Sequence, residues 1–238
     1  MKDLHSHFLP GVDDGSHSMK TTLLMLKSAK EHGVCDIMFT PHYIIDSKYE
    51  SPKDENLKIF DELKSVADYM GINIYLGNEV YCNANILDVY KEGKIATLNN
   101  SRYMLIEIPM YSKMNNVKSI FFELISNDII PILAHPERYT AYYNDFDFFY
   151  DLRKMGVLMQ INFPSLVGEY GSHAKKMAKM LLKYNLISFV GSDIHDYKED
   201  KYAGIQKAEK IIKKLVGDAK FIEITDTNFE KVINNEEI

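Results

Sequence analysis

Short, β-rich apolar runs alternate along the chain with longer stretches in which apolar residues recur every three or four positions. The short runs, at residues 3–4, 35–40, 72–76, 102–106, 129–134, 157–161 and 187–191, predict strands. The longer stretches, 18–31, 52–70, 115–126, 145–155 and 173–184, carry the helical period. Successive strands lie about 30 residues apart, the length of one strand-helix unit. Gly33, Gly71 and Gly156 each stand between a helical run and the next strand, where a left-handed helix end prefers glycine. Two further helices, near 202–216 and 228–235, are expected to close the C-terminal end.

Serial strand-helix units build a parallel sheet, and right-handed crossovers let seven of them curl round on themselves. The expected fold is therefore α/β, a distorted (β/α)7 TIM-like barrel. No glycine-rich, proline-rich or low-complexity linker divides the 238 residues, so one domain is expected over 1–238. The segments are unlike one another in sequence, so the spacing reflects architecture and not an internal repeat.

Composition narrows the function. A hydrophobic fraction of 46% and a charged fraction of 26% are those of an ordinary globular protein. The formal net charge of -6 argues against a nucleic-acid surface. No apolar run approaches the roughly 20 residues that span a bilayer, and no signal-type segment opens the chain, so the expected location is the cytoplasm. Cys35 and Cys82 show no paired spacing and read as core filler in a reducing compartment.

Metal-ligating residue types recur just after nearly every predicted strand: His5 and His7 after the first, His42 after the second, Glu79 after the third, Glu107 after the fourth, His135 after the fifth, Asp193 and His195 after the seventh. Asp14 joins them from the first loop. In parallel barrels the loops after the strands open on one face, so these side chains are expected at one mouth. Residues two apart in an extended segment share a face, which makes His5-x-His7 and Asp193-x-His195 natural chelates. A lone HxH is weak, and its repetition as DxH carries the inference. Five imidazoles and four carboxylates exceed what one or two four-coordinate ions need, and fit three divalent ions. Mixed nitrogen and oxygen ligation without thiolate suits manganese first, with iron or zinc as alternatives. Three such ions leave positive charge over, which points to phosphate esters, and Arg138 can fork two hydrogen bonds to a phosphoryl group from beside His135.

The strings DLHSHFLPGVDDG, TPH, GNEVY, SRYMLIEIPM, LAHPERY and GSDIH, in this order, resemble the PHP superfamily, and specifically the bacterial PHP-type protein tyrosine phosphatases of capsule and exopolysaccharide operons. The resemblance runs from Met1 to about His195. It implies that His5, His7, Glu79 and Asp193 hold one ion, that Glu79 bridges to a second held also by Glu107 and His135, and that Asp14, His42 and His195 hold a third. It implies manganese as the common metal, Arg138 as the phosphate-binding arginine, and the phosphorylated tail of a bacterial tyrosine kinase as substrate. Asp13 competes with Asp14 for the ligand position, and the resemblance favours Asp14. Two departures bear on the substrate: Phe163 and Pro164 follow the sixth strand where relatives carry smaller residues, and Tyr43 and Tyr49 stand near the mouth in place of basic residues.

The mechanism expected on this reading is in-line attack on phosphorus by a water that the two ions sharing Glu79 activate, with Arg138 on the non-bridging oxygens. A phenol is a good leaving group, and His42, His195 or a bound water could return its proton. The cysteine-dependent mechanism needs an arginine six residues after the cysteine. Cys35 is followed there by Pro41, and Cys82 by Asp88. His17, His32 and His173 read as structural or solvated, and the aromatic stretch 139–150 chiefly as packing, with a share of it able to line a cleft for an aryl ring. The competing functions are a PHP-type phosphatase for a small alcohol phosphate such as histidinol phosphate, and a non-catalytic metal-bound module that docks on a kinase tail.

Overall fold

A computed structural model describes residues 1–198 and 200–238. The seven expected strands form as β1 (Asp3–Ser6), β2 (Asp36–Phe39), β4 (Asn73–Leu76), β6 (Tyr103–Glu107), β7 (Ile130–Ala134), β8 (Leu158–Asn162) and β9 (Phe189–Gly191), joined by two short ones, β3 (His42–Tyr43) and β5 (Glu79–Tyr81). The expected helices form as α1 (Met19–Glu31), α2 (Lys53–Tyr69), α4 (Val117–Ile125), α5 (Phe146–Lys154), α7 (Gly171–Lys183), α8 (Ile205–Ile222) and α9 (Asn228–Ile233). Two more, α3 (Ile86–Lys91) and α6 (Phe163–Val167), are too short for a helical period to announce them. Gly33, Gly71 and Gly156 take φ of 79°, 67° and 97°. Gly217 (φ 81°) breaks α8 one residue beyond the predicted helix end.

All strand pairings are parallel. They draw two sheets, β1-β2-β4 and β3-β5-β6-β7-β8-β9, instead of the single closed ring expected. The cause is local. Pro41, without an N–H, stands between β2 and β3. Gly77 and Asn78 stand between β4 and β5; a Cβ on Gly77 would come within 2.6 Å of Leu98, and the Asn78 amide donates to the Pro41 carbonyl. Each interrupted strand thus begins in one sheet and ends in the other. At the opposite edge β9 and β1 adjoin: Ser192 and Asp193 donate their backbone N–H groups to the His5 carbonyl at 3.2 and 2.8 Å, and His7 donates to Ile194 at 3.0 Å.

Alternation along the strands separates two cores. Met104, Ile106, Leu133, Met159 and Ile161 pack outward beneath the helices. Tyr103, Leu105, Ile132, Leu158 and Phe189 pack inward with Leu4, Met38 and Leu98, and Phe229 and Val232 of α9 cover them. Toward the C-terminal strand ends the inward column turns polar, at Glu107 after Leu105 and at Gln160 and Asn162 after Leu158, all buried. The apolar floor and the polar upper tier share one face because side chains repeat every second residue.

Candidate metal centre

The nine predicted donors meet in that upper tier. Three groups form, within each of which the donor atoms lie no more than 4.8 Å apart: His5, His7, Glu79 and Asp193; His7, Asp14, His42 and His195; and His42, Glu79 and Glu107. Glu79 is the hub. Its Oε2 lies 3.2 Å from His5 Nε2, 3.3 Å from His7 Nε2 and 3.1 Å from His42 Nδ1, and its Oε1 lies 2.9 Å from His135 Nε2. His135 Nε2 is also 3.8 Å from Glu107. Asp14 faces the outermost imidazoles, 3.6 Å from both His42 and His195 Nε2. The grouping differs from the expected one: His7 and His42 each join two groups, and His135 joins none, standing instead beside Glu79 and Glu107.

The neighbours of the imidazoles decide which nitrogens carry lone pairs. A carboxylate only accepts, so Asp13 Oδ2, 2.7 Å from His7 Nδ1, takes that nitrogen's proton-bearing side and leaves His7 Nε2 facing the cluster. A longer relay fixes His5. Asn162 donates to Asp193 Oδ2 at 2.7 Å, so its oxygen accepts from Gln160 at 2.8 Å, so Gln160 Oε1 faces His5 Nδ1 at 3.0 Å. His195 Nδ1 donates to the Asp193 carbonyl at 3.0 Å. In all three rings Nε2 is therefore the open donor.

The consequence is an assembly that lacks positive charge. The Nε2 atoms of His5 and His7 stand 3.1 Å apart, both beside Glu79 Oε2 and Asp193 Oδ1, and Glu79 Oε2, His42 Nδ1 and His135 Nδ1 are buried without a hydrogen-bond partner. Although burial works against it, Glu79 and Asp193 push His5 up to about 9. Burial, then the neighbouring Glu79, raises Glu107, while burial and the His7 charge lower His195. Buried carboxylates that draw a proton onto His5 mark a place where divalent cations would supply the same positive charge, and imidazoles oriented by carboxylate or amide oxygens are the usual support for such ions.

Two of these residues hold backbone conformations that L side chains rarely take, His135 at φ 31° and Asp193 at φ 56°. Such strain is kept where surrounding structure overdetermines it. Arg138 donates from a terminal guanidinium nitrogen to Asp193 Oδ2 at 2.6 Å, and its guanidinium lies 4.4 Å over the Tyr170 ring. It is thus tethered at the edge of the cluster, with donors left over.

The expectations for Phe163, Pro164 and Tyr43 need correction. Phe163 does not narrow the site: it is fully buried and stacks on Tyr202 at 5.9 Å, and Pro164 opens α6 beside it. Tyr43 is also buried, turned toward Glu50, whereas Tyr49 stacks on His42 at 6.1 Å and does stand at the mouth. Asp13 is a support behind His7, and Asp14 faces the cluster. His17 is exposed, His32 bonds the Ser28 carbonyl, and His173 stacks on Tyr143 at 5.7 Å. Sequence reasoning missed Gln160 and Asn162. Their signal was two polar residues alternating at the end of an otherwise apolar buried strand.

The sequence matches the family described as "Capsular polysaccharide synthesis, CpsB/CapC" over residues 1–234. It is 36% identical over 198 residues to the putative tyrosine-protein phosphatase CapC of Staphylococcus aureus, covering 82% of this chain and 77% of that protein. It is 30% identical over 240 residues to the tyrosine-protein phosphatase CpsB of Streptococcus pneumoniae, covering 98% of each. Among solved structures, one described under "crystal structures of YwqE from Bacillus subtilis and CpsB from Streptococcus pneumoniae, unique metal-dependent tyrosine phosphatases" superposes with a TM-score of 0.93 at 27% identity, over 100% of this chain and 96% of that one. With a family match over nearly its whole length and relatives at this identity, the chain belongs to the CpsB/CapC family of capsular polysaccharide synthesis.

Proposed function

We propose that this protein is a metal-dependent phosphatase acting on protein phosphotyrosine, with the tail of a bacterial tyrosine kinase of polysaccharide export as its substrate. The observation that carries the reading is the set of open imidazole nitrogens and buried carboxylate oxygens converging beside Arg138. Their chemistry fits three divalent ions, manganese first and iron or zinc next, distributed over His5, His7, Glu79 and Asp193; over Glu79, Glu107 and His135 with His42; and over Asp14, His42 and His195. When bound, such ions supply Lewis acidity at phosphoryl oxygens and acidify an attacking water.

The chain's own residues do the rest. Arg138, held by Asp193 and Tyr170, presents its remaining N–H groups to the non-bridging oxygens. Asp13, Gln160 and Asn162 keep His7 and His5 in the tautomer that faces inward. His42 and His195 are the more accessible imidazoles, and since both would hold an ion, solvent reaching that rim returns the proton to the departing oxygen. A phenol of pKa about 10 needs little such help. The two sheets, adjoining at β9 and β1, support a single domain over 1–238 arranged as an interrupted seven-unit barrel whose strand ends carry the site. Among the described residues no helix is long and apolar enough to cross a membrane. The proposed substrate, a kinase tail, would be met in the cytoplasm.

The test is turnover of a phosphotyrosine peptide by manganese-loaded protein. Chelation abolishes it, alkylation of Cys35 and Cys82 spares it, and the opposite pair of results would end the proposal. His135→Ala loses metal, whereas Arg138→Ala keeps metal and falls in kcat/KM by about 100-fold. Hydrolysis of histidinol phosphate in strong preference to aryl phosphates would instead select the small-molecule reading.

A further inference from the structure

Against Arg138 lies an open cavity of about 190 Å³ lined by Met110, Tyr111, Arg138, Thr140, Tyr143, Tyr170 and Ala174, with none of the nine donors in its wall. Its lining holds three tyrosine rings and no carboxylate. Among the described lining residues the charge is that of Arg138, directed to Asp193. A phosphoryl group held by the spare donors of Arg138 therefore has an aromatic recess beside it.

The walls are built in advance. One is the segment that follows β6, the other the segment after His135, and four hydrogen bonds stitch them together. Tyr139 accepts from the Ile108 N–H at 3.2 Å and Tyr142 from the Met114 N–H at 3.0 Å. The Met110 carbonyl accepts from the Thr140 hydroxyl at 3.2 Å and from the Ala141 N–H at 3.4 Å. Tyr143 is braced from behind by His173, whose ring is within 6° of parallel, and Tyr170 is braced by the Arg138 guanidinium. Rings fixed before a ligand arrives lose little freedom when it binds. Tyr111, 83% exposed, has no packing to hold its ring away from a guest.

We propose that this recess takes the phenol ring of the substrate and that Tyr143, with Tyr111 over it, determines the preference for aryl over alkyl phosphate esters. The assignment rests on the phosphatase reading above and goes beyond it by naming the specificity-determining side chains. Aromatic faces offer a flat ring offset-stacked and edge contacts that an alkyl chain cannot return. A serine or threonine phosphate would reach the same Arg138 and leave the recess unfilled.

The experiment compares wild type, Tyr143→Ala, Tyr143→Phe and Tyr111→Ala, all manganese-loaded, on phosphotyrosine and phosphoserine peptides of otherwise identical sequence. Calorimetric binding of benzylphosphonate and methylphosphonate to the same proteins gives a second readout. In Tyr143→Ala the aryl-to-alkyl ratio of kcat/KM falls by about tenfold, through KM more than kcat, and the benzylphosphonate advantage falls in step. Tyr143→Phe restores both, because the ring and not the hydroxyl forms the wall. Tyr111→Ala, at an exposed position where truncation costs little stability, moves the ratio the same way by a smaller factor. Wild-type turnover of phosphotyrosine with an unchanged ratio in Tyr143→Ala and Tyr111→Ala overturns the recess and leaves the phosphatase reading intact. A loaded wild type that cleaves neither peptide overturns both.

Discussion

At the scale of single residues, the groups that hold the donors matter as much as the donors. Asp13 keeps His7 in the inward-facing tautomer, and its carboxyl is itself held below the ordinary range, against burial, by His7 and His42. Asp13→Ala is expected to weaken manganese binding by about 10- to 100-fold, read by competition with a chelator of known affinity. An affinity equal to wild type would remove the tautomer argument. Glu137 is a different case. It is fully buried, accepts from the Asn162 N–H and the Ser165 hydroxyl with one oxygen, and has no partner for the other; burial, opposed by these hydrogen bonds, raises it to about 7. A carboxyl raised on folding holds its proton longer in the folded state, so its contribution is complete below the ordinary carboxyl value and is lost as pH rises toward 7. Against Glu137→Gln, which cannot titrate, wild type should lose up to about 3 kcal/mol between pH 5 and 8 in urea unfolding. A difference that does not change with pH would show that Glu137 is ionised throughout. Neither role was legible in the sequence, because a buried support and a surface carboxylate are the same letter.

At the scale of elements, the strands and long helices were legible because their periods differ. Seven strands and seven helices form within a few residues of the expected places, and the helix ends at Gly33, Gly71 and Gly156 follow from the φ those positions need. What pattern could not convey was the splitting of two strands at Pro41 and at Gly77 and Asn78, since β3 and β5 are only two and three residues long. The close packing of β9 on β1 was equally hidden. At Gly191 an added Cβ would stand 2.8 Å from both His5 Cβ and the Gln160 amide nitrogen. Gly191→Ala must push apart the relay that orients His5, at a cost of about 1–3 kcal/mol in stability. Metal affinity should fall with it, measured on the same preparation. A variant with a lowered melting temperature and unchanged metal binding would mean that the strand yields and the relay does not.

At the scale of the whole molecule, the cluster is where stability and function meet. Glu79, Glu107 and Asp193 are buried among five imidazoles of which His5 and His7 are wholly enclosed. Cations that bind only the folded protein stabilise it, by about 2.7 kcal/mol for each site at a hundredfold excess over Kd. The melting temperature should therefore rise with added manganese and fall on chelation, in a scan of apo and loaded protein. No shift in either direction would mean that the donors already satisfy one another. The sequence by itself determined the strand-helix alternation, the placing of nine ligand-type residues after the strands and, through the strings shared with a family, the chemistry to expect. These are local in the chain, carried by period, spacing and motif. Only the tertiary structure decided that Asp13 stands behind His7 while Asp14 faces the cluster, that Phe163 turns to the core, that Gln160 and Asn162 relay a carboxylate to His5, and that tyrosines from a loop and a helix end wall a recess beside Arg138. Those outcomes depend on which side of a backbone a side chain leaves and on what residues distant in sequence bring against it. Hydrogen-bond direction and packing settle such matters in three dimensions, and the order of residues carries at most a hint of them, as at Gln160 and Asn162.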